Sequence, residues 1–453
     1  MDTAGKLAID GGKPVVSEKL IAHDWERYRK ANDEEVEVVS AVLRSGHLSI
    51  ALPVGMPQAD ALEREFAQWV GSKHALVVNS GTAALHCAVA GVGVTAGDHV
   101  ILPADTFVAS AMAILHHNAI PIFVDVDPCT HLLDPAKLEE KITDKTKAIM
   151  VVQLFGMPAD MDAINAIAKR HNLKVIEDCA QAYGSQYKGG KAGTLGDAAG
   201  FAMTTTKQLM VGEGGLVTTN SKEVFDQASM IRLFGESGDM KSPDRAYMSE
   251  QVGWNYKLSE VNSALARVRL RNLDNYIAGC VDNAKRLTDR LQHIKGVSPL
   301  VAPDDRTYTC YLYNVAIDPA ALNLDIEPGK LRDAAMEALA GENVDVMRWQ
   351  KVPVPAQPMF QNKFGYGNQS PWDQPGGDVT YDINDYPNAF FALESSFIVR
   401  RIIPPNGPEL MDSYADAFEK VFSQIDRAVE ILDQKNTYIP LEQRKAKLAT
   451  GKI

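Results

Sequence analysis

The stretch from Gly200 to Gly215, GFAMTTTKQLMVGEGG, sets one lysine among threonines directly after an apolar, small-residue run (Ala198 to Met203) that reads as a buried strand. A lysine that leaves a buried strand for a polar pocket loses hydration. This favours the neutral amine, the form that adds to a carbonyl and makes a Schiff base. Two upstream segments bear on Lys207. The first, KVIEDCAQAY (Lys174 to Tyr183), is a β-branched strand ending in Asp178, at the edge where α/β sheets meet their ligands, with Gln181 just beyond. The second, HALVVNSGTAALHC (His74 to Cys87), is a strand followed by Ser80, Gly81 and Thr82 at the opening of an Ala-rich helix. Free amides and hydroxyls at such a start make a seat for phosphate. Each feature alone has a plainer reading: a solvated loop lysine, a turn aspartate, an ordinary helix cap.

In this order the features suit pyridoxal phosphate. It needs a phosphate seat, a carboxylate that keeps its pyridine nitrogen protonated and electron-accepting, and an amine. Matching runs extend well beyond the three segments: SGTAAL (Ser80 to Leu85), ADTFVASAMAIL (Ala104 to Leu115), PIFVDVDP (Pro121 to Pro128), EDCAQAYGSQYKG (Glu177 to Gly189), GTLGDAAGF (Gly193 to Phe201), KQLMVGEGG (Lys207 to Gly215) and VGWNYKLSEVNSA (Val252 to Ala264). With these the chain resembles the DegT/DnrJ/EryC1/StrS aminotransferases, fold type I pyridoxal-phosphate enzymes that aminate keto-sugars and aminocyclitol precursors. The likeness covers roughly residues 30 to 275.

The resemblance implies roles. Lys207 would hold the cofactor as a Schiff base and then shuttle the proton, and Asp178 would pair with the ring nitrogen. Gln181 would bond the phenolic oxygen, Phe107 would stack on the ring, and Gly81 and Thr82 would take the phosphate. Asn255 of the partner subunit would also reach that phosphate, so the site would be completed only in a homodimer. Three positions depart from the family pattern. Ala202 replaces a usual phosphate-binding serine, and Thr204, two residues on, would point the same way along an extended strand and could substitute. Trp254 replaces tyrosine, and Lys257 replaces an arginine whose planar two-point contact a lysine cannot make. The implied reaction moves an amino group from glutamate or glutamine to a keto-sugar or keto-cyclitol; the alternative is elimination, replacement or carbon-carbon bond formation on the same cofactor.

These residues need a frame to hold them. An irregular arm runs through Glu26; helical patterns follow at Asp33 to Leu43, with Val36, Val39, Val42 and Leu43 on one side, and at Ala59 to Val70. Short apolar strands are expected near Ala75 to Val78, Val100 to Leu102, Ile122 to Val126, Ala148 to Gln153, Val175 to Asp178, Ala199 to Met203 and Leu216 to Thr219, alternating with helices. That alternation predicts an α/β fold, a mostly parallel sheet flanked by helices, in a large domain over 1–275. A long helix, Ser259 to about Ile294, then leads to a smaller α+β domain over 276–453, with a strand at Tyr311 to Ile317 and helices at Gly329 to Ala340 and Glu409 to Asp433. Phe364 to Asp385, dense in Gly, Pro, Asn and Asp, is long for a structureless connection. It is expected either to shape substrate choice, because the family's tail closes over the pocket, or to be a surface excursion.

A net charge of −12 and the lack of a basic cluster before the Arg444 to Lys447 tail speak against nucleic acid or an anionic membrane as partners. Five scattered cysteines, odd in number and without a CxxC pair, suit a reduced cytoplasmic protein, as does the lack of a spanning or signal-like segment. Cys179 reads as a small buried residue. Asp125-Val126-Asp127 could be the metal-gripping acids of a glycosyltransferase, but Pro128 makes it a strand running into a turn. Gly91, Gly93 and Gly97 miss dinucleotide-binding spacing, the N-terminal arm is too short and non-basic for a DNA-binding module, and His116 and His117 read as packing or surface residues on different helix faces. No metal site is expected.

Overall fold

In the computed structural model the described residues are 5–20, 30–49, 58–237 and 245–449. Runs of small and branched apolar residues form β1 (His74–Val78), β2 (His99–Pro103), β3 (Ile120–Val124), β4 (Thr146–Val152) and β5 (Lys174–Asp178). The hairpin β6 (Gln186–Tyr187) and β7 (Gly190–Lys191) stands apart, and β8 (Ala198–Ala202) and β9 (Gly215–Thr219) complete a seven-stranded sheet of order β1-β9-β8-β5-β4-β2-β3. Its pairs are parallel except those of β9, which runs antiparallel to both β1 and β8. Alternate side chains feed opposite faces. Leu76, Val78, Val100, Leu102 and Met150 pack with the helices Gly81–Gly91 and Ala109–His116, while Val77, Ile101, Ile149 and Val151 face the other layer.

The helix Gly81–Gly91 lies close on the sheet because the strand beneath it has almost no side chains. A Cβ on Gly200 of β8 would come 2.8 Å from Leu85 Cδ2, and one on Gly81 would come 2.5 Å from the Cβ of Ala202. The run AAGFA thus acts as a groove as well as a strand, and it brings the helix start to the end of β8.

The second sheet is antiparallel: β10 (Val297–Pro299), β11 (Tyr313–Ile317), β12 (Val346–Met347) and β13 (Ser396–Val399), in order β10-β11-β13-β12. The helices Leu273–Leu291, Pro328–Gly341, Pro408–Phe422 and Ile425–Lys435 enclose its core. Segments cross between the sheets in both directions. Leu7 and Val16 join the core of the antiparallel sheet, and the buried carboxylate of Glu342 fixes them by accepting from the amides of Ala8 and Val15, each at 2.9 Å.

Several expectations change. The helix expected over Ser259 to Ile294 is two, Glu260–Arg271 and Leu273–Leu291, broken at Asn272, whose amide caps the first by donating to the carbonyls of Arg269 and Leu270. The last long helix breaks likewise at Ser423 and Gln424. The strand expected from Tyr311 begins at Tyr313, because residues 309 to 311 are bonded instead to the turn at Phe155 and Gly156. In the helix Asp33–Ser45, Val36 and Leu43 are exposed and only Val42 among the four apolar residues is buried. Glu35 takes the inward place, closing a capping box with Asn32 and pairing with Arg269 at 3.1 Å.

The 364–385 segment does not border the carboxyl edge of the large sheet. Tyr366 Oη donates to the Leu115 carbonyl at 3.1 Å, His99 Nε2 lies 2.9 Å from the Gly376 carbonyl, and Tyr381 Oη donates to the Pro121 carbonyl at 2.9 Å. Two of these anchors, His99 and Pro121, lie at the amino ends of β2 and β3, and the third, Leu115, at the end of the helix that leads into β3, opposite Asp178. Aromatic packing accounts for the position: Tyr381 meets Phe123 and Phe360, and accepts from Trp372 Nε1 at 2.9 Å. Tyr381→Phe would strand both the indole N–H and the Pro121 carbonyl, so denaturant unfolding is expected to show a loss of about 1–3 kcal/mol. Unchanged stability would show that the segment is not anchored through this phenol.

Candidate active site

At the start of the helix Gly81–Gly91, Ser80 Oγ accepts from the Ala83 amide at 3.1 Å and so serves as the cap. The amides of Gly81 and Thr82 have no acceptor among the described residues and point out of the helix start, where its dipole favours an anion. The cap reading of this segment thus describes Ser80, and the amides of the two residues after it are left open.

Asp178 ends β5 with only 5% of its surface exposed. Its Oδ2 accepts from Ser110 Oγ at 2.7 Å and its Oδ1 from the Ala180 amide at 3.0 Å. Ser110 in turn lies 2.9 Å from Thr106 Oγ1, in the bend before the helix Ala109–His116. Burial pushes the carboxyl above its ordinary range, while the Ser110 bond, the Ala180 amide and the charge of Lys207 pull the other way. Lys207 and Asp178 therefore share one electrostatic neighbourhood. Gln181 Oε1 accepts from the Phe155 amide at 2.8 Å, which leaves the Nε2 donor edge for another partner. Phe107, at the carboxyl end of β2, is 58% exposed, a bare aromatic face beside these groups.

Lys207 closes a tight turn, its amide donating to the Thr204 carbonyl at 2.9 Å. Met203 holds the turn's base, donating to Gly214 and accepting from Val211, both at 2.8 Å. From outside, Arg269 donates to the Met210 carbonyl at 2.6 Å while paired with buried Glu35. β8 ends at Ala202, and Thr204 opens the turn, so the direction of its hydroxyl is set by the turn rather than by strand alternation. The Lys207 ammonium donates to Tyr311 Oη at 3.1 Å and sits 4.2 Å from the centre of that ring. Tyr311, Thr205, Thr206, Trp349 and Arg400 help line a cavity of about 320 Å³.

Asn255 adjoins Asn79, two residues before Gly81, through its backbone, and its side chain turns to Lys257. It is exposed, its carbonyl oxygen is 3.4 Å from Asn79 Nδ2, and its side-chain oxygen accepts from Lys257 Nζ at 2.5 Å. Trp254 packs its indole edgewise on His86, 4.5 Å between centroids. His116 and His117 both approach that same His86 ring, at 6.0 and 5.2 Å, and burial, with the charges of His117 and His116, pushes His86 down to about 3.

Sequence reading missed Ser110, Tyr311, Trp349 and Gln350. Ser110 lies in the first turn of the helix Ala109–His116 and Thr106 in the bend before it, so no helical spacing links the two hydroxyls. Tyr311 and Trp349 carry no local signal. Trp349 Nε1 donates to Asp105 Oδ1 at 3.0 Å, Asp105 Oδ2 lies 2.6 Å from His131 Nδ1, and Gln350 Nε2 donates to the Thr106 carbonyl. The second sheet's half of the chain thus holds the loop that carries Phe107.

The model of the DegT/DnrJ/EryC1/StrS aminotransferase family matches residues 29–372. The chain belongs to this family. It is similar to the spore coat polysaccharide biosynthesis protein SpsC of Bacillus subtilis, 33% identical over 391 residues that cover 84% of this chain and 92% of that one. It is also similar to an L-glutamine:2-deoxy-scyllo-inosose aminotransferase of Streptoalloteichus tenebrarius, 38% identical over 71% of this chain and 76% of that one. Among solved structures, 3-amino-5-hydroxybenzoic acid synthase superposes with a TM-score of 0.76 at 26% identity, covering 88% of this chain and 98% of that one. The fold is fold type I, and the enzyme is an aminotransferase that uses pyridoxal phosphate.

The aminotransferase's residues suit that cofactor: open helix-start amides, a buried carboxyl that accepts from Ser110 and Ala180, and a glutamine with its donor edge free. The acid pair Asp125 and Asp127 has other duties. Asp125 accepts from the amides of Asn388 and Ala389 at a helix start, and Asp127 from those of Cys129 and Thr130. Among the described residues no three or more histidine, cysteine, aspartate or glutamate side chains are grouped so as to hold a metal ion. Removing the Ser110 hydroxyl takes away a bond that favours the Asp178 anion, so its carboxyl must move still higher. In Ser110→Ala the acid limb of the kcat/KM profile is expected to move to higher pH, by about one unit. An unmoved limb would show that ionisation of Asp178 does not govern it.

Proposed function

We propose that this aminotransferase takes an amino group from glutamate or glutamine and places it on the ketone of a sugar or cyclitol. The observation that carries the reading is the placement of a buried carboxyl, Asp178, at the end of β5, and of Lys207 in the hairpin that leaves the neighbouring strand β8, both at the carboxyl edge of the sheet. The aminocyclitol aminotransferase relative supports the class of donor and acceptor.

Pyridoxal phosphate, when bound, supplies the electron sink that lets the amino group leave the donor and join the ketone. The chain's own residues then divide the work. Asp178 keeps an anion against the ring nitrogen, with Ser110 and Ala180 holding the carboxylate in place. The Gln181 amide donates to the phenolic oxygen, and Phe107 covers a ring face. Gly81, Thr82 and Thr204 take the phosphate; Thr204 stands in for the hydroxyl missing at Ala202. Lys207 Nζ would move the proton between the donor's α-carbon and the cofactor's C4′.

Asn255 of the partner subunit adds to the phosphate seat in a homodimer. Support comes from the exposed apolar side chains of Tyr247, Met248 and Val252, 72–76% exposed and close to Asn255 in sequence. Free thiols at all five cysteines suit a cytoplasmic setting, and no helix among the described residues is long and apolar enough to cross a membrane.

The test is a half-reaction screen. With single amino donors, glutamate or glutamine is expected to bleach the near-visible absorption of the bound cofactor, and a keto-sugar or keto-cyclitol to restore it. In Lys207→Ala that absorption is absent and turnover falls at least about a thousandfold. A cofactor that no donor converts would refute amino transfer in favour of elimination, replacement or carbon-carbon bond formation. Mixing Lys207→Ala with Asn255→Ala protein is expected to restore part of the activity through one intact shared site; no recovery after verified subunit exchange would refute the shared site.

A further inference from the structure

We infer that Tyr311 is a positioning residue for Lys207: its phenol and ring hold the free amine against the cavity wall. This rests on the reading of Lys207 as the group that moves the proton. Three features of the geometry carry it. The first is directional. Tyr311 Oη donates to Thr206 Oγ1 at 3.2 Å, so its lone pairs are left to accept from the Lys207 ammonium at 3.1 Å. The second is the ring, whose face lies 4.2 Å from that nitrogen and attracts a cation.

The third is that the phenol's place is fixed without help from Lys207. The Tyr311 amide donates to the Phe155 carbonyl and the Thr309 amide to the Gly156 carbonyl, both at 2.9 Å. Thr309 Oγ1 lies 3.0 Å from Ser185 Oγ, and Cys310 between them adopts φ 53, a left-handed conformation that few side chains accept unless the surroundings hold it. Phe155, which receives Tyr311, is the residue whose amide Gln181 accepts. One pinned turn therefore orients both Gln181 and the phenol that meets Lys207. A lysine has four rotatable bonds, and a free ammonium at the mouth of a cavity would otherwise sample many places. An acceptor and a ring on one rigid side chain give it one.

Tyr311→Phe keeps the ring and removes the acceptor; Thr206→Val leaves Tyr311 intact and removes the acceptor of its proton. The first readout uses cofactor-free full-length protein, acetylated at one fixed pH and followed peptide by peptide by mass spectrometry. Lys207 is expected to label about fivefold faster in Tyr311→Phe and about twofold faster in Thr206→Val, with other lysines unchanged. The second is the donor half-reaction, where Tyr311→Phe is expected to lower kcat about tenfold while KM stays within about threefold. Labelling of Lys207 at the wild-type rate in both variants would overturn the proposal. So would a raised KM with unchanged kcat, which would make Tyr311 only a wall of the substrate cavity. A wild type whose cofactor is never converted by a donor would sink the functional reading instead, and would leave the labelling result standing.

Discussion

A carboxyl group shut away from water at the end of β5 is the constraint on which the rest of this molecule turns. Burial alone would keep Asp178 neutral, and a neutral acid cannot partner a pyridinium. Three groups oppose that tendency: the Ser110 hydroxyl, the Ala180 amide and the Lys207 charge. Each comes from a different element, the helix Ala109–His116, the turn after β5 and the hairpin between β8 and β9. The sheet order puts β5 directly beside β8, and the strands around it set the ends of those three elements within reach of one another.

Small side chains make that convergence possible. Ala198, Ala199 and Gly200 let the helix Gly81–Gly91 approach until Gly81 touches Ala202, so the open amides of the helix start and the chain leading to Lys207 arrive at the same edge. The Cβ of Ala202 is part of this contact. The second sheet reaches the same place through Tyr311, Trp349 and Gln350, which touch Lys207, Asp105 and Thr106.

What could be read in advance follows from how local its cause is. The large sheet was legible because its strands are buried on both faces and punctuated by helices, and Lys207, Asp178 and Gly81 stand out because each follows a strand within a few residues. Tyr311 was not legible, since its meeting with Lys207 depends on a left-handed turn at Cys310 and a bond to Phe155, which no periodicity announces. The helix from Asp33 was found but turned to the wrong face. Its apolar stripe suggested Val36 inward, whereas the Glu35–Arg269 pair claimed that side. The same holds for the 364–385 segment: its aromatic residues have partners on β3 that are distant in the chain.

The antiparallel strand of the large sheet, β9, has a consequence of its own. Because the chain doubles straight back from β8 to β9, position 207 sits in a backbone-closed loop whose hydrogen bonds are made by Thr204, Met203, Val211 and Gly214, with the lysine contributing only its amide. The backbone closure of the turn is thus independent of the side chain, which is left to meet the Tyr311 phenol. Those backbone bonds would be the same whatever residue projected from the turn, which is the circumstance under which one frame can come to serve reactions that need different groups there.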